Sequence, residues 1–413
     1  MSHPPFYGWR VVAGAFVLAV FGWGIGFYGP PVYLHAVREA HGWPVSLVSA
    51  AVTVHFLVGA VVVANLPALY RRFGLPAVTK AGALSLGLGV LGWAAAATPW
   101  QLFAATLLSG AGWVAMGAAA VNAIVSPWFV RNRPAALATA YNGASIGGVI
   151  FSPLWVVAID ALGFPVAAAA ICTAMAVAIW LLAGRVFSRT PEQMGQSSDG
   201  DASGVAAAPV TLSSVRPLPG RALWRDPRFV TLALGMALGL FAQIGLIAHL
   251  FSLLVPALGA QAAGIATGVA TAAAIGGRTL VGWLMPAGAD RRLVASASYT
   301  VQIAGSIALL VAAGDNVALL ILGVVLFGAG IGNATSLPPL IAQVEFARED
   351  VGRVVALIVA IGQGTYAFAP AAFGLVRELL PSPVLFMLAA AIQGLAIAAL
   401  FAGRRRPYLV RAT

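Results

Sequence analysis

The sequence predicts an all-α membrane protein with about twelve spanning helices. Of its 413 residues, 61% are hydrophobic and 8% are charged, and the mean hydropathy is +0.94. An ordinary soluble domain has about a quarter of its residues charged. A spanning helix needs roughly 20 mostly apolar residues, and twelve such helices with short connections use most of this length. Composition and length therefore indicate the same class of fold.

The apolar stretches recur evenly, and charged residues, Gly or Pro separate them. Residues 70–76, which read Tyr-Arg-Arg-Phe-Gly-Leu-Pro, are typical of these breaks. The first stretch is too long for the apolar part of a signal peptide and lacks a small-residue cleavage site, so we expect a permanent helix there. In order, the predicted spans lie at about residues 10–34, 45–69, 78–98, 100–125, 135–159, 165–186, 229–254, 262–285, 293–313, 316–344, 352–375 and 382–402. Some prolines inside these spans can break helices beside a cavity, although ordinary kinks are compatible with the same residues: Pro30, Pro31, Pro153, Pro338, Pro339 and Pro370.

The positions of the basic residues test this helix count, because cytoplasmic loops collect Lys and Arg. With the N-terminus inside and twelve crossings, all but three of the 23 basic residues fall in inside loops. The exceptions are Arg38 and Arg377 in outside loops and Arg278 within the eighth span. Both termini are therefore predicted to be cytoplasmic. The same topology explains the net charge of +11 and the pI near 10.8, so no nucleic-acid partner is expected.

The longest polar stretch divides the chain near its middle. We predict an N-terminal six-helix bundle at residues 1–186, a cytoplasmic linker at 187–228 and a C-terminal six-helix bundle at 229–413. Short repeats support two similar halves: Gly-Ala-Gly at residues 110–112 recurs at 328–330, and Arg133 before the fifth span is matched by Arg353 before the eleventh. Secondary transporters use duplicated bundles of this kind to place a substrate site between the halves.

Sequence motifs for enzymatic or metal chemistry are missing. The chain has no Gly-rich loop ending in Lys-Ser/Thr, no His-Glu-x-x-His and no paired carboxylates within a span. Its single cysteine, Cys172, lies in an apolar helix, which excludes a disulfide framework. We therefore expect no enzyme activity, no cofactor and no bound metal.

Several motifs carry a resemblance to a known family. Residues 7–12 read Tyr-Gly-Trp-Arg-Val-Val, 42–46 Gly-Trp-Pro-Val-Ser, 128–133 Trp-Phe-Val-Arg-Asn-Arg, and 277–284 Gly-Arg-Thr-Leu-Val-Gly-Trp-Leu. They resemble the openings of the first, second and fifth helices, and the eighth helix, of the monocarboxylate transporter and oxalate:formate antiporter branches of the major facilitator superfamily. The resemblance implies twelve helices in two six-helix bundles. It also implies that Arg278 binds a substrate carboxylate.

The chain also departs from that pattern. Residues 66–74, Leu-Pro-Ala-Leu-Tyr-Arg-Arg-Phe-Gly, lack the acidic residue that the superfamily places between its second and third helices. Ala274 stands where monocarboxylate carriers often have an aspartate, and residues 30–31 offer no counterpart to their first-helix lysine. Gln363 replaces the second cation of the oxalate exchangers. These differences make a dicarboxylate a less suitable substrate.

Arg278 is the strongest candidate site residue without any family comparison. It lies about sixteen residues into an apolar span, and arginine cannot lose its proton to escape a low dielectric. An arginine near the bilayer centre is unfavourable by about 2.5–3.5 kcal/mol on insertion scales, so it is expected to face a wet cavity or a partner. We predict that it binds the substrate anion. The alternative is a structural or snorkelling arginine.

Histidines and polar side chains within the spans complete the predicted site. His55 and His249 are candidates for proton coupling, because histidine changes charge near neutral pH. Each is also compatible with a neutral, hydrogen-bonded role at a helix interface. The predicted substrate-binding residues besides Arg278 have amides or hydroxyls that can orient a small acid, although each is also compatible with packing between helices: Tyr28, Asn122, Asn142, Gln243, Gln363 and Tyr366.

The expected function is secondary transport of a small organic anion, in the form of proton-coupled monocarboxylate symport by alternating access. An anion exchanger, or an efflux transporter for another metabolite or a drug, is the alternative. We expect a multi-pass protein of a bacterial inner membrane that works as a monomer. Its expected partners are the anion, H+ and the lipid bilayer.

Overall fold

A computed structural model describes residues 6–200, 221–286 and 288–404, and these residues form helices joined by short connections. The described part contains no strand. The α-helices are α1 (Gly8–Gly26), α2 (Gly29–His41), α3 (Val45–Phe73), α4 (Leu75–Ala95), α5 (Pro99–Val114), α6 (Ala118–Val125), α7 (Arg133–Leu162), α8 (Phe164–Arg185), α9 (Pro227–Leu284), α10 (Arg291–Ala312), α11 (Val317–Glu345), α12 (Arg348–Tyr366), α13 (Ala369–Leu379) and α14 (Pro383–Ala402). The all-α membrane fold is confirmed.

Eleven helical stretches of the described residues are long and apolar enough to cross a membrane. One of them, α9, has 58 residues, which corresponds to about 87 Å at 1.5 Å per residue. That is nearly three times the roughly 30 Å of a hydrocarbon core. Gly259 interrupts α9 with φ 75° and ψ 163°, a conformation that glycine adopts easily. The two limbs of α9 supply the seventh and eighth predicted spans, which makes twelve.

Three of the spans consist of two helices each: α1 with α2, α5 with α6, and α12 with α13. Pro30 and Pro31 lie in the first turn of α2, and Pro370 lies in the first turn of α13. Proline is tolerated there because first-turn N–H groups have no helical partner. Helices therefore break just before these three prolines. No break occurs at Pro153, Pro338 or Pro339, because α7 and α11 continue through them.

Contacts along the chain define two compact units. The first consists of the described part of Met1–Val210 with Leu246–Ala272 and Ala367–Ser382. The second consists of the described part of Thr211–Gly245, with Ala273–Tyr366 and the described part of Pro383–Thr413. The division into residues 1–186, 187–228 and 229–413 stays a prediction.

The repeated Gly-Ala-Gly segments allow equivalent close contacts between helices in each unit. In the first unit, a Cβ on Gly110 would overlap the His55 carbonyl of α3, and one on Gly112 would overlap the backbone of α4 at Leu86. In the second unit, the Ala329 carbonyl lies where a Cβ on Gly277 of α9 would be, and a Cβ on Gly330 would meet α10. Each segment thus packs against the second and third spans of its own half. This equivalence supports the duplication that the sequence suggested.

The beginning of the predicted linker is anchored to the first unit. The carboxylate of Asp199 accepts hydrogen bonds from the amides of Val130 (3.1 Å), Arg131 (2.8 Å) and Asn132 (3.0 Å). Desolvation acts to raise the pKa of Asp199, but these amides and the charge of Arg131 outweigh it and hold the pKa below its ordinary value. The carboxylate therefore stays charged at neutral pH. Residues 201–220 of the linker lie outside the described residues.

Candidate functional site

Arg278 lies in the second limb of α9, after the kink at Gly259. The limb ends six residues later at Leu284, which is about 9 Å along the helix axis. Arg278 therefore lies about midway between the centre of this limb and its end, which the predicted topology places on the inner side. Its side chain is half-buried, and its Nε donates a hydrogen bond to the Gly332 carbonyl of α11 at 3.2 Å.

Two glycines bring α9 and α11 together beside this arginine. A Cβ on Gly277 would overlap the carbonyl of Ala329, and one on Gly332 would overlap the carbonyl of Ala274. Because both positions lack a side chain, the backbones approach closely and the Gly332 carbonyl reaches the guanidinium group. Small residues at helix interfaces permit such contacts within a membrane. The local packing therefore holds the Nε edge of Arg278 in a defined direction.

Asn333 follows Gly332 on α11 and places an amide next to the Arg278 contact. It is 3% exposed, and its Oδ1 has no hydrogen-bond partner among the described residues. With Met236, Tyr299 and Pro338, Asn333 lines a small cavity of the second unit. The cavity has room for about one water molecule, which is too little for an organic substrate.

The other predicted residues of the second unit lie on the first limb of α9 and at the end of α12. Gln243 is 3% exposed, and its Oε1 has no hydrogen-bond partner in the described part of the chain. Gln363 and Tyr366 are half-buried. Tyr366 packs against the hydrophobic core of this unit. The roles of these three residues in binding stay predictions.

The predicted residues of the first unit are Tyr28, Asn122 and Asn142. Tyr28 lies between α1 and α2, and its ring packs so closely on Gly148 of α7 that a Cβ there would meet it at 2.7 Å. Asn122 and Asn142 are exposed. The Asn122 amide donates to the Ala118 carbonyl at 3.1 Å and also to the Tyr141 hydroxyl. Asn122 is thereby tied to α7 one residue before Asn142.

His55 is buried in the first unit, with 1% of its surface exposed. Its Nε2 lies 2.9 Å from the Gly26 carbonyl, and its Nδ1 lies 2.8 Å from the Ser109 hydroxyl. The indole N–H of Trp93 donates to the same hydroxyl at 3.2 Å. Both ring nitrogens therefore have neutral hydrogen-bond partners.

His249 is fully buried, and its surroundings differ from those of His55. Its Nε2 donates to the Pro370 carbonyl at 3.1 Å, whereas its Nδ1 has no hydrogen-bond partner among the described residues. Arg377 donates to the hydroxyl and the carbonyl of Ser252, one turn further along α9. Arg38 and Arg377 both act electrostatically on His249. A proton on this ring would face two positive charges.

Sequence reasoning missed two side chains that act beside His55. Tyr33 donates to the Ile25 carbonyl at 3.1 Å, and the indole N–H of Trp155 donates to the Gly24 carbonyl at 3.3 Å. The available signal was Pro30, which has no N–H for the carbonyl of Gly26 four residues earlier. It indicates that replacement donors are needed, but not which residues supply them.

Two comparisons relate the chain to known proteins. A family model described as the Major Facilitator Superfamily matches residues 12–370. A crystal structure of the nucleoside transporter NupG is similar, with a TM-score of 0.70 and 12% identity, over 96% of this chain and 98% of that chain. A point mutant of the same transporter gives a TM-score of 0.73 and 12% identity, over 96% and 100% of the two chains. No curated protein matches the chain in sequence.

Proposed function

Because this chain belongs to the major facilitator superfamily, we propose that it is a secondary transporter that moves a small organic anion, in the form of a monocarboxylate together with a proton. The superfamily match supports transport of a small molecule across a membrane. The likeness to NupG, at 12% identity, concerns the fold alone. The residues of this chain are therefore the basis for the proposed substrate class.

The observation that carries the proposal is the placement of Arg278. It is a permanently charged side chain in an otherwise apolar limb of α9, half-buried, with its Nε edge turned to the Gly332 carbonyl. A guanidinium group presents two donor edges, and a carboxylate can accept two parallel hydrogen bonds from one of them. We assign the carboxylate of the substrate to this guanidinium group.

The surroundings of Arg278 favour a small acid with one carboxylate. Ala274, one turn before the arginine, carries no charge, and its own carbonyl packs against Gly332. By the sequence resemblance, Gln363 of α12 takes the place of the second cation of the oxalate exchangers, so a second carboxylate would find a neutral amide there. Because amides are neutral, they orient a keto or hydroxy group better than they compensate a second charge.

The proton is proposed as the coupling ion. His249 is the better candidate of the two histidines for carrying it, because its Nδ1 is buried without a hydrogen-bond partner in the described residues. Arg38 and Arg377 both act electrostatically on His249, so a bound anion or a rearrangement of these arginines would change the charge around the ring. Such dependence of protonation on conformation is what coupled transport requires.

Ligand-induced stabilisation tests the substrate class before any transport assay. A ligand at 100 times its Kd stabilises the folded protein by about 2.7 kcal/mol, which intrinsic fluorescence of the 11 tryptophans can follow on heating. We expect lactate or pyruvate to raise the Tm of the wild type and not that of R278A. R72A, which removes a charge from the exposed end of α3, is the matched control and should respond like the wild type.

Oxalate, a nucleoside and an organic cation complete the panel. Stabilisation by the nucleoside or the cation, without an effect of any monocarboxylate, would refute the anion assignment. Stabilisation by monocarboxylates that persists in R278A would move the binding site away from α9.

A further inference from the structure

The break in the first span leaves backbone carbonyls without their helical partners. In a continuous α-helix, each carbonyl accepts a hydrogen bond from the amide four residues later. The carbonyl of Gly26 would need an N–H from Pro30, and proline has none. The carbonyl of Gly24 would need the amide of Tyr28, which donates to Trp23 instead at 2.8 Å. Unsatisfied carbonyls are strongly unfavourable within a membrane.

Three buried side chains replace the missing donors. Trp155 of α7 donates to the carbonyl of Gly24, Tyr33 of α2 to that of Ile25, and His55 of α3 to that of Gly26. The distances are 3.3, 3.1 and 2.9 Å, and none of the three donors is more than 1% exposed. Three consecutive carbonyls are thus satisfied from three different helices.

The glycines around the break are matched to these donors. A Cβ on Gly29 would overlap the Tyr33 hydroxyl, and a Cβ on Gly110 would overlap the backbone carbonyl of His55. The tyrosine can reach Ile25, and α3 can approach α5 at His55, only because both positions lack a side chain. The break is therefore built by contacts from several helices and is not a local consequence of proline alone.

Burial and hydrogen bonding together favour a neutral His55 ring. A backbone carbonyl can only accept, so Nε2 carries the hydrogen that it shares with Gly26. The Ser109 hydroxyl accepts from Trp93 and lies 2.8 Å from Nδ1 and 3.4 Å from the Thr106 carbonyl, and in the neutral ring it donates to Nδ1. A second proton on the ring would place a full charge at a nearly inaccessible site whose contacts are neutral. The ring is accordingly a neutral donor to Gly26.

We propose that His55, together with Tyr33 and Trp155, is a positioning residue that fixes the break in the first span and does not carry the coupling proton. The break holds Tyr28, whose ring packs on Gly148 of α7 and whose amide is turned back to Trp23. Only the part that concerns the proton rests on the proposed function. The capping of the carbonyls stands without it.

Two variants of His55 separate the alternatives. H55Q keeps an N–H donor close to the position of Nε2 but cannot titrate, whereas H55L removes the donor at similar volume. Hydrogen–deuterium exchange of the segment around Phe27 and Tyr28 reports the break directly. We expect exchange in H55L to be on the order of tenfold faster or more, as the loss of a buried hydrogen bond implies, and H55Q to restore most of the protection.

Heating in the presence of a thiol-reactive dye gives a second readout that needs no substrate, because the only cysteine, Cys172, is buried in the same unit. H55L should expose the thiol at a lower temperature than H55Q. If H55L does not fold, Y33F tests the same break, since it removes only the hydroxyl that caps Ile25. Equal exchange in the wild type, H55L and Y33F would overturn the capping role.

Transport assays test whether His55 carries the coupling proton. If His55 positions the break, H55Q should recover most of the gradient-driven uptake that H55L loses, with the same pH midpoint as the wild type. If His55 carries the proton, H55Q should exchange substrate normally but fail to accumulate it under a pH gradient. That second outcome would contradict the proposal. A chain that moves no monocarboxylate at all would refute the proposed function and leave the exchange experiment as the test of capping.

Discussion

Three of the described arginines have different environments, and each predicts a different response to substitution. Arg278 is half-buried within a span. Arg292, at the start of α10, is 1% exposed and forms a double hydrogen bond with the carboxylate of Glu345, at 2.6 and 2.8 Å. Arg72 is exposed at the end of α3. Only Arg278 is proposed to bind substrate. Substitutions at the three positions should therefore differ in their effects on stability and on transport.

Loss of Glu345 should destabilise the second unit strongly. Arg292 also donates to Thr231 and to the carbonyls of Arg228 and Leu400, so it stays in place when its charge partner is removed. Breaking one side of a buried ion pair typically destabilises by about 3–5 kcal/mol. We expect E345Q to lower the Tm measured by helical circular dichroism.

The matched variant removes both partners. Because a buried pair is often replaceable by apolar residues, R292M/E345L should recover part of the stability lost in E345Q. A wild-type Tm in E345Q would mean that the pair contributes nothing. Neither variant touches Arg278, so ligand responses of the folded protein should be retained.

At the scale of elements, the contact between α9 and α11 depends on glycine. A Cβ added at Gly277 would overlap the Ala329 carbonyl. A Cβ added at its neighbour Gly276 would have no atom within 4 Å. We expect G277A to separate the helices, lower the Tm and impair transport. G276A should be neutral, or slightly stabilising because alanine favours a helix over glycine by about 1 kcal/mol. Equal effects of the two substitutions would show that the close approach is unimportant.

Asp290, at the start of α10, should make part of the stability of the second unit depend on pH. Desolvation acts to raise the pKa of Asp290, but hydrogen bonds from Arg404 and from the amides of Leu293 and Arg292 outweigh it and hold the pKa below its ordinary value. A depressed pKa contributes stability above the unfolded value, near 3.9, and the contribution is lost as the pH falls through the folded value.

D290N tests this contribution, because asparagine still caps a helix but cannot form the ion pair with Arg404. Its Tm should be below that of the wild type at pH 7. The difference should shrink once the pH falls below about 4. A difference that stays constant as the pH is lowered well below that value would assign the effect to the cap and not to the charge.

At the scale of the whole molecule, the first unit includes segments from both halves of the sequence. Thr53 accepts a hydrogen bond from the Ala371 amide at 3.0 Å, and Glu378 accepts one from the Ser46 amide at 2.9 Å. The predicted topology places these contacts on the outer side. Alternating access by rocking of two halves would require them to open during each cycle.

A reversible cross-link tests that requirement. Cysteines at positions 46 and 378, joined by a short bifunctional thiol reagent, should stop transport, and a reductant that cleaves the link should restore it. S46C and E378C alone, treated in the same way, are the controls. Undiminished transport in the linked protein would contradict opening at this side.

The number and order of the spans were predictable from sequence, since apolar length and basic loops are local properties. The breaks at Pro30 and Pro370 were predictable because proline is also a local signal. The break between α5 and α6 has no proline and was not predictable in this way. The partners of His55 and Arg292 were not predictable, because Gly26 and Glu345 lie 29 and 53 residues away in the chain. Such contacts depend on which helix faces pack together.

Gradient-driven uptake tests the central claim most directly. Wild type, R278A, R278K and R72A would be reconstituted in proteoliposomes and supplied with labelled lactate or pyruvate under an inward proton gradient. We predict accumulation by the wild type and R72A, loss in R278A, and a large deficit in R278K, because lysine lacks the planar pair of donors. Accumulation by R278A equal to that of the wild type would contradict the assignment of the anion to Arg278.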